Sequence, residues 1–453
     1  MSARTTVSRD LCIFVTSFVF LLAPWAEAHE GHDHPEPQRI SDKEAHRPSA
    51  IPDRIVLTWN DDPATTQAVS WRTDATVHRA YAEIAVAEDG PLFSFNARQV
   101  VAVTTPLETN LGLAHYHTAV FRDLKPKTRY AYRVGDGENW SEWSQFSTAS
   151  DQPEPFTFIY FGDAQIELKS YWSRVVREAY RDAPKAAFLL HAGDLVDRAN
   201  NDAEWGDWFY AGSHIHRMAA CVATPGNHEY AKAEDGKALT RHWRPMFAFP
   251  EHGPEGLEET VYWIDYQGVR IISLNSNEKQ REQIPWLEQT LADNPNRWTI
   301  ITFHHPFYSA SQGRDSVGLR NLWQPVFDKY RVDLVLQGHD HVYARSGLMQ
   351  QENAPTGATH FDEQAGTLYV VSVSGPKLYT LNRQPYMRRA AEYTQLYQII
   401  TVNGDELKYE ARTATGRLYD AFTLRKREGK PNELIDQIPD TPENRRDSAS
   451  SRR

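Results

Sequence analysis

Five apolar runs in this chain each end in side chains of the kind that bind metal ions. Phe156 to Phe161 runs into Gly162-Asp163-Ala164-Gln165, and Phe188 to Leu190 runs into His191-Ala192-Gly193-Asp194-Leu195-Val196-Asp197. Ala220 to Thr224 leads to Pro225-Gly226-Asn227-His228-Glu229, and Trp298 to Phe303 leads to His304-His305-Pro306. Val332 to Gln337 leads to Gly338-His339-Asp340-His341. Carboxylate and amide oxygens suit hard or borderline divalent ions, and imidazole suits zinc, iron and similar metals. A carboxylate shared by two such ions, the place expected for Asp194, holds them about 3.5–4 Å apart, where they clamp one phosphate and activate a water. Glycine before Asp163, Asp194, Asn227 and His339 lets each loop turn sharply enough to point the next side chain inward. One Gly-Asp pair alone marks only a turn. Gly-His-Asp-His after an apolar strand is more telling, and the five tips together carry the reading.

Such tips need strands behind them. Near-continuous apolar runs are buried strands, and open α/β sheets keep their sites at the carboxyl ends of those strands. Helices are expected at Tyr171–Asp182, from Glu204, at Glu282–Asp293 and at Leu319–Tyr330, with a hairpin at 260–274 and further strands at 367–373, 397–402, 407–411 and 421–424. This predicts an α/β domain over residues 151–425, two mixed sheets packed face to face and flanked by helices. The run Glu204–Phe209 reads as a surface helix, with a cap over the cleft as the alternative. Tyr343 and Arg345, just past the histidine pair at 339 and 341, read equally as site residues or as packing and ion-pair residues.

Upstream the pattern differs. Between Arg54 and Thr148 about seven short alternating strands are separated by turn signals, which predicts a β-sandwich over residues 53–150 that shields or shapes the neighbouring site. His115 and His117 flank Tyr116 in that alternation and read as surface histidines. Residues 426–453 are charged and rich in Pro and Ser, which predicts a disordered tail.

The extreme N-terminus reads as a signal peptide over residues 1–28: Arg4 and Arg9, an apolar core from Leu11 to Trp25, then Ala26-Glu27-Ala28. The run is short for a membrane span, so the expectation is a periplasmic or secreted protein with no membrane attachment after cleavage. Residues 29–52 begin His29-Glu30-Gly31-His32-Asp33-His34 and have the composition of a disordered linker. Of the two cysteines, Cys12 falls in the signal, leaving Cys221 as a small buried hydrophobe. The formal net charge of −11 argues against binding a nucleic-acid backbone.

The order Gly-Asp, Gly-Asp, Gly-Asn-His-Glu, His-His-Pro, Gly-His-x-His resembles the metallophosphoesterases. The preceding sandwich, whose Leu124–Tyr132 stretch is similar to the tyrosine corner of a fibronectin type III module, narrows the resemblance to the purple acid phosphatase branch. It spans roughly residues 50–425. The resemblance implies a binuclear phosphatase in which Asp194 bridges two ions, divalent and drawn from Fe, Zn or Mn. Asp163 and His341 would hold the first ion, and Asn227, His304 and His339 the second. It further implies hydrolysis of a small phosphate monoester by a metal-bound hydroxide. His228 would serve as general acid or phosphate donor, and His305 would face the substrate. Arg314, in a Gly-containing loop, reads either as a fork on the phosphate or as an ordinary surface arginine.

The chain departs from that branch at one metal position. Asp197 stands where the branch has its tyrosine, and Gln165 stands where the wider superfamily has a histidine. Either residue would supply an oxygen to the first ion, directly or through water, or both would back the true ligands. A phosphodiesterase or nucleotide pyrophosphatase on the same core, and a non-catalytic metal or phosphate binder, remain as alternatives.

Overall fold

The computed structural model describes residues 39–234, 236–351 and 365–446. The signal peptide expected over residues 1–28 and the histidines of the 29–34 run lie outside the described residues. Eight strands build the N-terminal sandwich: β1 (Asp53–Thr58), β2 (Gln67–Asp74), β3 (Tyr81–Val86), β4 (Arg98–Val101), β5 (Val103–Thr109), β6 (Gly112–Phe121), β7 (Arg129–Gly135) and β8 (Ser144–Ser147). They pair as β1-β2-β6-β5 and β4-β3-β7-β8. They number one more than the roughly seven expected, and the chain changes sheets at Ala102, between β4 and β5. The tyrosine corner is present: the Tyr130 hydroxyl accepts the Lys125 amide at 2.8 Å. His115 and His117 are not surface residues. Both are buried, His115 Nδ1 on the Val77 carbonyl at 2.8 Å and His117 between the hydroxyls of Thr73 and Thr104.

The second domain holds β9 (Phe156–Phe161), β10 (Phe188–His191), β11 (Ala220–Ala223), a small hairpin of β12 (Tyr230–Ala233) and β13 (Gly236–Leu239), β14 (Tyr262–Tyr266), β15 (Val269–Ser273), β16 (Trp298–Thr302), β17 (Leu334–Gln337), β18 (Tyr343–Met349), β19 (Thr367–Val371), β20 (Met387–Ala391), β21 (Leu396–Asn403), β22 (Glu406–Thr413), β23 (Leu418–Arg427) and β24 (Lys430–Asp436). One seven-stranded sheet runs β11-β10-β9-β21-β22-β23-β24 and the other β14-β15-β16-β17-β19-β18-β20. Both are mixed, as expected. In the first, β9, β10 and β11 are parallel and in step, His191 lying opposite Phe161 and Ala223. In the second, β15, β16 and β17 are parallel, with Thr302 opposite Ser273 and Leu336. Strands that end in step release their loops at one edge, which is how five distant segments reach one place.

The faces of both sheets and the sandwich share one continuous apolar core, and a second core lies under the helices on the outer face of the β14–β20 sheet. The helix Asp202–Gly212 is not a surface helix. Trp205 and Trp208 are fully buried, and its first residue, Asp202, takes a two-pronged ion pair from Arg54 at 2.7 and 2.9 Å. Arg72 and His242 reach the same carboxylate, so a buried network ties the sandwich to the catalytic domain.

The expected linker and tail are also partly structured. A helical turn spans Asp42–Ala45, and the His46 carbonyl accepts Arg72 Nη2 at 3.1 Å. Beyond Arg425 the chain continues as β23 and β24, and Asp436 pairs with the buried Arg345 at 2.9 Å. Charge-rich composition misleads at both ends, because the charges are ion-paired. Arg345 also meets Asp420 at 2.6 Å, the packing and pairing role read from the sequence.

Candidate metal centre

The carboxylate of Asp194, His304 and His339 offer ligand atoms within 4.8 Å of one another. His304 Nε2 lies 3.2 Å from Asp194 Oδ2 and 3.1 Å from Asn227 Oδ1, and His339 Nδ1 lies 2.9 Å from that same amide oxygen. On the other side of Asp194, His341 Nε2 stands 3.4 Å from Asp163 Oδ2. Five sequence-selected residues thus gather with the Asp194 carboxylate.

The loops are built for this. Asp194 has φ +52° and follows Gly193 at +87°, and His339 has φ +72°, conformations that L residues adopt only when the surroundings hold them. Gly226 has to be glycine, since a Cβ there would sit 2.1 Å from Asp194 Oδ1. The backbone amides also steer the ligands: His339 N donates to Asp163 Oδ1 at 2.7 Å and His228 N to Asp194 Oδ1 at 2.8 Å.

Hydrogen bonds on the far ring nitrogens set which nitrogen faces inward. His304 Nδ1 donates to the Ala192 carbonyl and His341 Nδ1 to the Lys377 carbonyl, each at 2.9 Å. Both Nε2 lone pairs are left for a metal, the usual arrangement of a ligating histidine. Asp163 Oδ2 is buried and takes no hydrogen bond, an orphan that a cation would satisfy. Burial, and then the charge of Asp194, push the Asp163 carboxyl up to about 7, while His304 opposes the rise. Burial would lower His304, but Asp194 and Asp163 raise it to about 9. A buried pocket that concentrates negative charge, with an unsatisfied oxygen and inward imidazoles, fits divalent ions.

Known proteins agree. Residues 52–148 match the family of purple acid phosphatase N-terminal domains, and residues 156–343 match the calcineurin-like phosphoesterases. The chain is a purple acid phosphatase-like metallophosphoesterase. An uncharacterized Mycobacterium tuberculosis protein is 27% identical over 337 residues, 64% of this chain and 61% of that one. The Fe(3+)-Zn(2+) purple acid phosphatase 12 of Arabidopsis thaliana is 29% identical over 52% of this chain and 53% of its own. The chain thus spans less than two thirds of these curated relatives. The purple acid phosphatase PPD1 from yellow lupin seeds shares the fold, with a TM-score of 0.70, 19% identity, and 84% of this chain and 75% of that chain covered.

Around this metallophosphoesterase centre, three residues singled out in the sequence with two readings each make specific contacts. Gln165 is fully buried, but its Nε2 donates to Asp194 Oδ2 at 2.7 Å while its Oε1 accepts Lys377 Nζ at 3.0 Å. The end of the amide that faces the ligands is the donor end, and its oxygen faces Lys377. The contacts of Asp197 are with His228: its carbonyl accepts Nδ1 at 2.5 Å and its carboxylate lies 3.4 Å from that nitrogen. Arg314 spends its fork within the protein, Nε on Asp340 at 2.8 Å and Nη2 on the His339 carbonyl at 3.2 Å, where it braces the His339 loop.

Glu229 was missed. Its buried carboxylate accepts four backbone amides, from Asp194, Leu195, Val196 and Gly226, at 2.7 to 3.3 Å. It staples the Asp194 loop to the Asn227 loop. The signal was present as the acid ending Gly226-Asn227-His228-Glu229, but only the fold reveals which amides it meets.

Proposed function

We propose that this protein is an exported, metal-dependent phosphatase that hydrolyses small phosphate monoesters at the Asp194 centre. The observation that carries the reading is the convergence of Asp163, Asn227, His304, His339 and His341 on Asp194, with His228 alongside, its Nε2 4.0 Å from Asp194 Oδ2. Bound there, two divalent ions, drawn from Fe, Zn or Mn, would supply positive charge for phosphate oxygens and a water acidified for attack.

The remaining chemistry belongs to this chain's side chains. The Asp197 carbonyl can only accept, so His228 Nδ1 carries a proton and Nε2 faces the site. With both nitrogens protonated, His228 hands the Nε2 proton to the departing alkoxide, while the Asp197 carboxylate lies 3.4 Å from Nδ1 and helps to hold the ring. Asp197 is therefore a positioning residue rather than a metal ligand. His305 differs. The Ser276 hydroxyl accepts the His305 amide at 3.1 Å and meets its Nδ1 at 2.8 Å; in the tautomer where the hydroxyl donates to Nδ1, Nε2–H is the free donor. Burial, then the charge of His304, hold His305 down to about 3, so it donates to a phosphate oxygen as a neutral ring.

Substrate would enter through a polar cleft of about 680 Å³ lined by Asn227, His228, Asn200, Asn201, Lys237 and, from the sandwich, Asn110. The sandwich thereby shapes the cleft. Its size and polarity suit a small phosphorylated molecule. No helix among the described residues is long and apolar enough to cross a membrane. The test is Asp194→Ala: metal uptake and turnover of p-nitrophenyl phosphate should vanish together, and retained hydrolysis would end the assignment. Comparing that monoester with its bis-ester separates monoesterase from diesterase, and an iron(III)–phenolate absorption band in the holoprotein would contradict the ligand set.

A further inference from the structure

Lys377 lies on the loop after β19 and touches the centre twice. Its carbonyl accepts His341 Nδ1 at 2.9 Å, and its ammonium donates to Gln165 Oε1 at 3.0 Å. The loop comes this close because residue 375 is glycine: a Cβ there would lie 2.5 Å from the Ala164 carbonyl and 2.8 Å from that of Gln165. An ammonium has three donors and no lone pair, so the amide of Gln165 must turn its oxygen to Lys377. Its NH₂ then faces the Asp163–His341 side, 2.7 Å from Asp194 Oδ2 and 3.4 Å from His341 Nε2. On the Asn227 side the amide oxygen, two imidazole nitrogens and Asp194 all face inward as acceptors, and the guanidinium that reaches the His339 carbonyl, that of Arg314, is paired with the Asp340 carboxylate at 2.8 Å.

We propose that Lys377 makes the two metal positions unequal, so that the Asp163–His341 position binds its ion more weakly, and exchanges it more readily, than the Asn227–His304–His339 position. Two physical effects act in the same direction. A fixed positive charge one amide away from the site repels a divalent cation in a region of low dielectric. The same charge turns a potential oxygen ligand into a donor that competes for Asp194 Oδ2. Lys377 is thus a specificity-determining residue for metal loading, and the inference rests on the centre proposed above.

Calorimetric titration of chelator-stripped full-length protein with Zn²⁺ or Mn²⁺, with ions counted by mass spectrometry, tests it. The wild type should bind in two steps at least tenfold apart. Lys377→Met should tighten the weaker step at least tenfold and leave the stronger one unchanged, which also reports an intact fold. Lys377→Arg should behave like the wild type. Two equal steps in the wild type, or a weaker step that Lys377→Met leaves unmoved or loosens, would overturn the inference. Absence of any stoichiometric ion in the wild type would instead overturn the metal centre itself.

Discussion

Replacing Glu229 by glutamine keeps the volume and removes one charge, and it should damage the centre without touching a metal ligand. In the native protein one carboxylate oxygen takes the amides of Leu195 and Val196, and the other takes those of Asp194 and Gly226. A glutamine has one oxygen. Whichever way it turns, two buried N–H groups face an NH₂ and lose their acceptor. At about 1–3 kcal/mol for each buried donor left unsatisfied, the cost is about 2–6 kcal/mol. Asp194 at φ +52° also loses the clamp on its own amide, so its carboxylate no longer sits where His304 and Asn227 meet it. With an unfolding entropy of about 2 cal/mol/K per residue, a chain of 453 residues should lose roughly 2–6 °C in Tm. Scanning calorimetry and metal counting are the assays, and both readouts should fall in Glu229→Gln while Glu229→Asp falls less. A Glu229→Gln protein with native Tm and full metal content would refute the idea that this carboxylate holds the two loops.

Two further perturbations follow from buried charge and buried imidazole. Asp202→Ala strands the buried guanidinium of Arg54 at the seam between sandwich and catalytic domain, while Arg72 keeps Asp53, and removing one partner of a buried pair costs about 3–5 kcal/mol. Chemical denaturation should show that loss, and Arg54→Met combined with Asp202→Leu should recover much of it. His191 and His216 are fully enclosed, and burial holds both down to about 3 from an ordinary 6.5. The unfolded chain therefore takes up protons first as pH falls from 6.5 towards 3, so these groups withdraw stability across that window. At pH 4.5, two pH units below 6.5, each removes about 2–3 kcal/mol at about 1.4 kcal/mol per unit. Melts of the metal-loaded protein at pH 7.5 and 4.5 should converge in a His191→Leu, His216→Phe variant, and an unchanged pH dependence would refute the assignment.

The five strand tips could be read directly because their local code is short: an apolar run, a glycine where the backbone turns back, then a carboxylate, amide or imidazole. That code depends on neighbours in sequence, and it placed Asp163, Asp194, Asn227, His304, His339 and His341 before any coordinates. The sandwich and the two mixed sheets were legible for the same reason, through alternation and apolar runs. Positions whose meaning depends on distant partners were not. His115 and His117 read as surface residues because alternation shows that one face is polar, not that Thr73 and Thr104 will meet it. The ends read as disordered because charge counts cannot show that Asp436 finds Arg345. Gln165, Asp197 and Glu229 were visible as polar residues beside ligands, but their roles are set across 3 to 212 positions of chain. Tertiary structure decided those roles because a hydrogen bond has direction: Lys377 forces the amide of Gln165 to turn, Asp197 faces His228, and Glu229 gathers four amides from two loops.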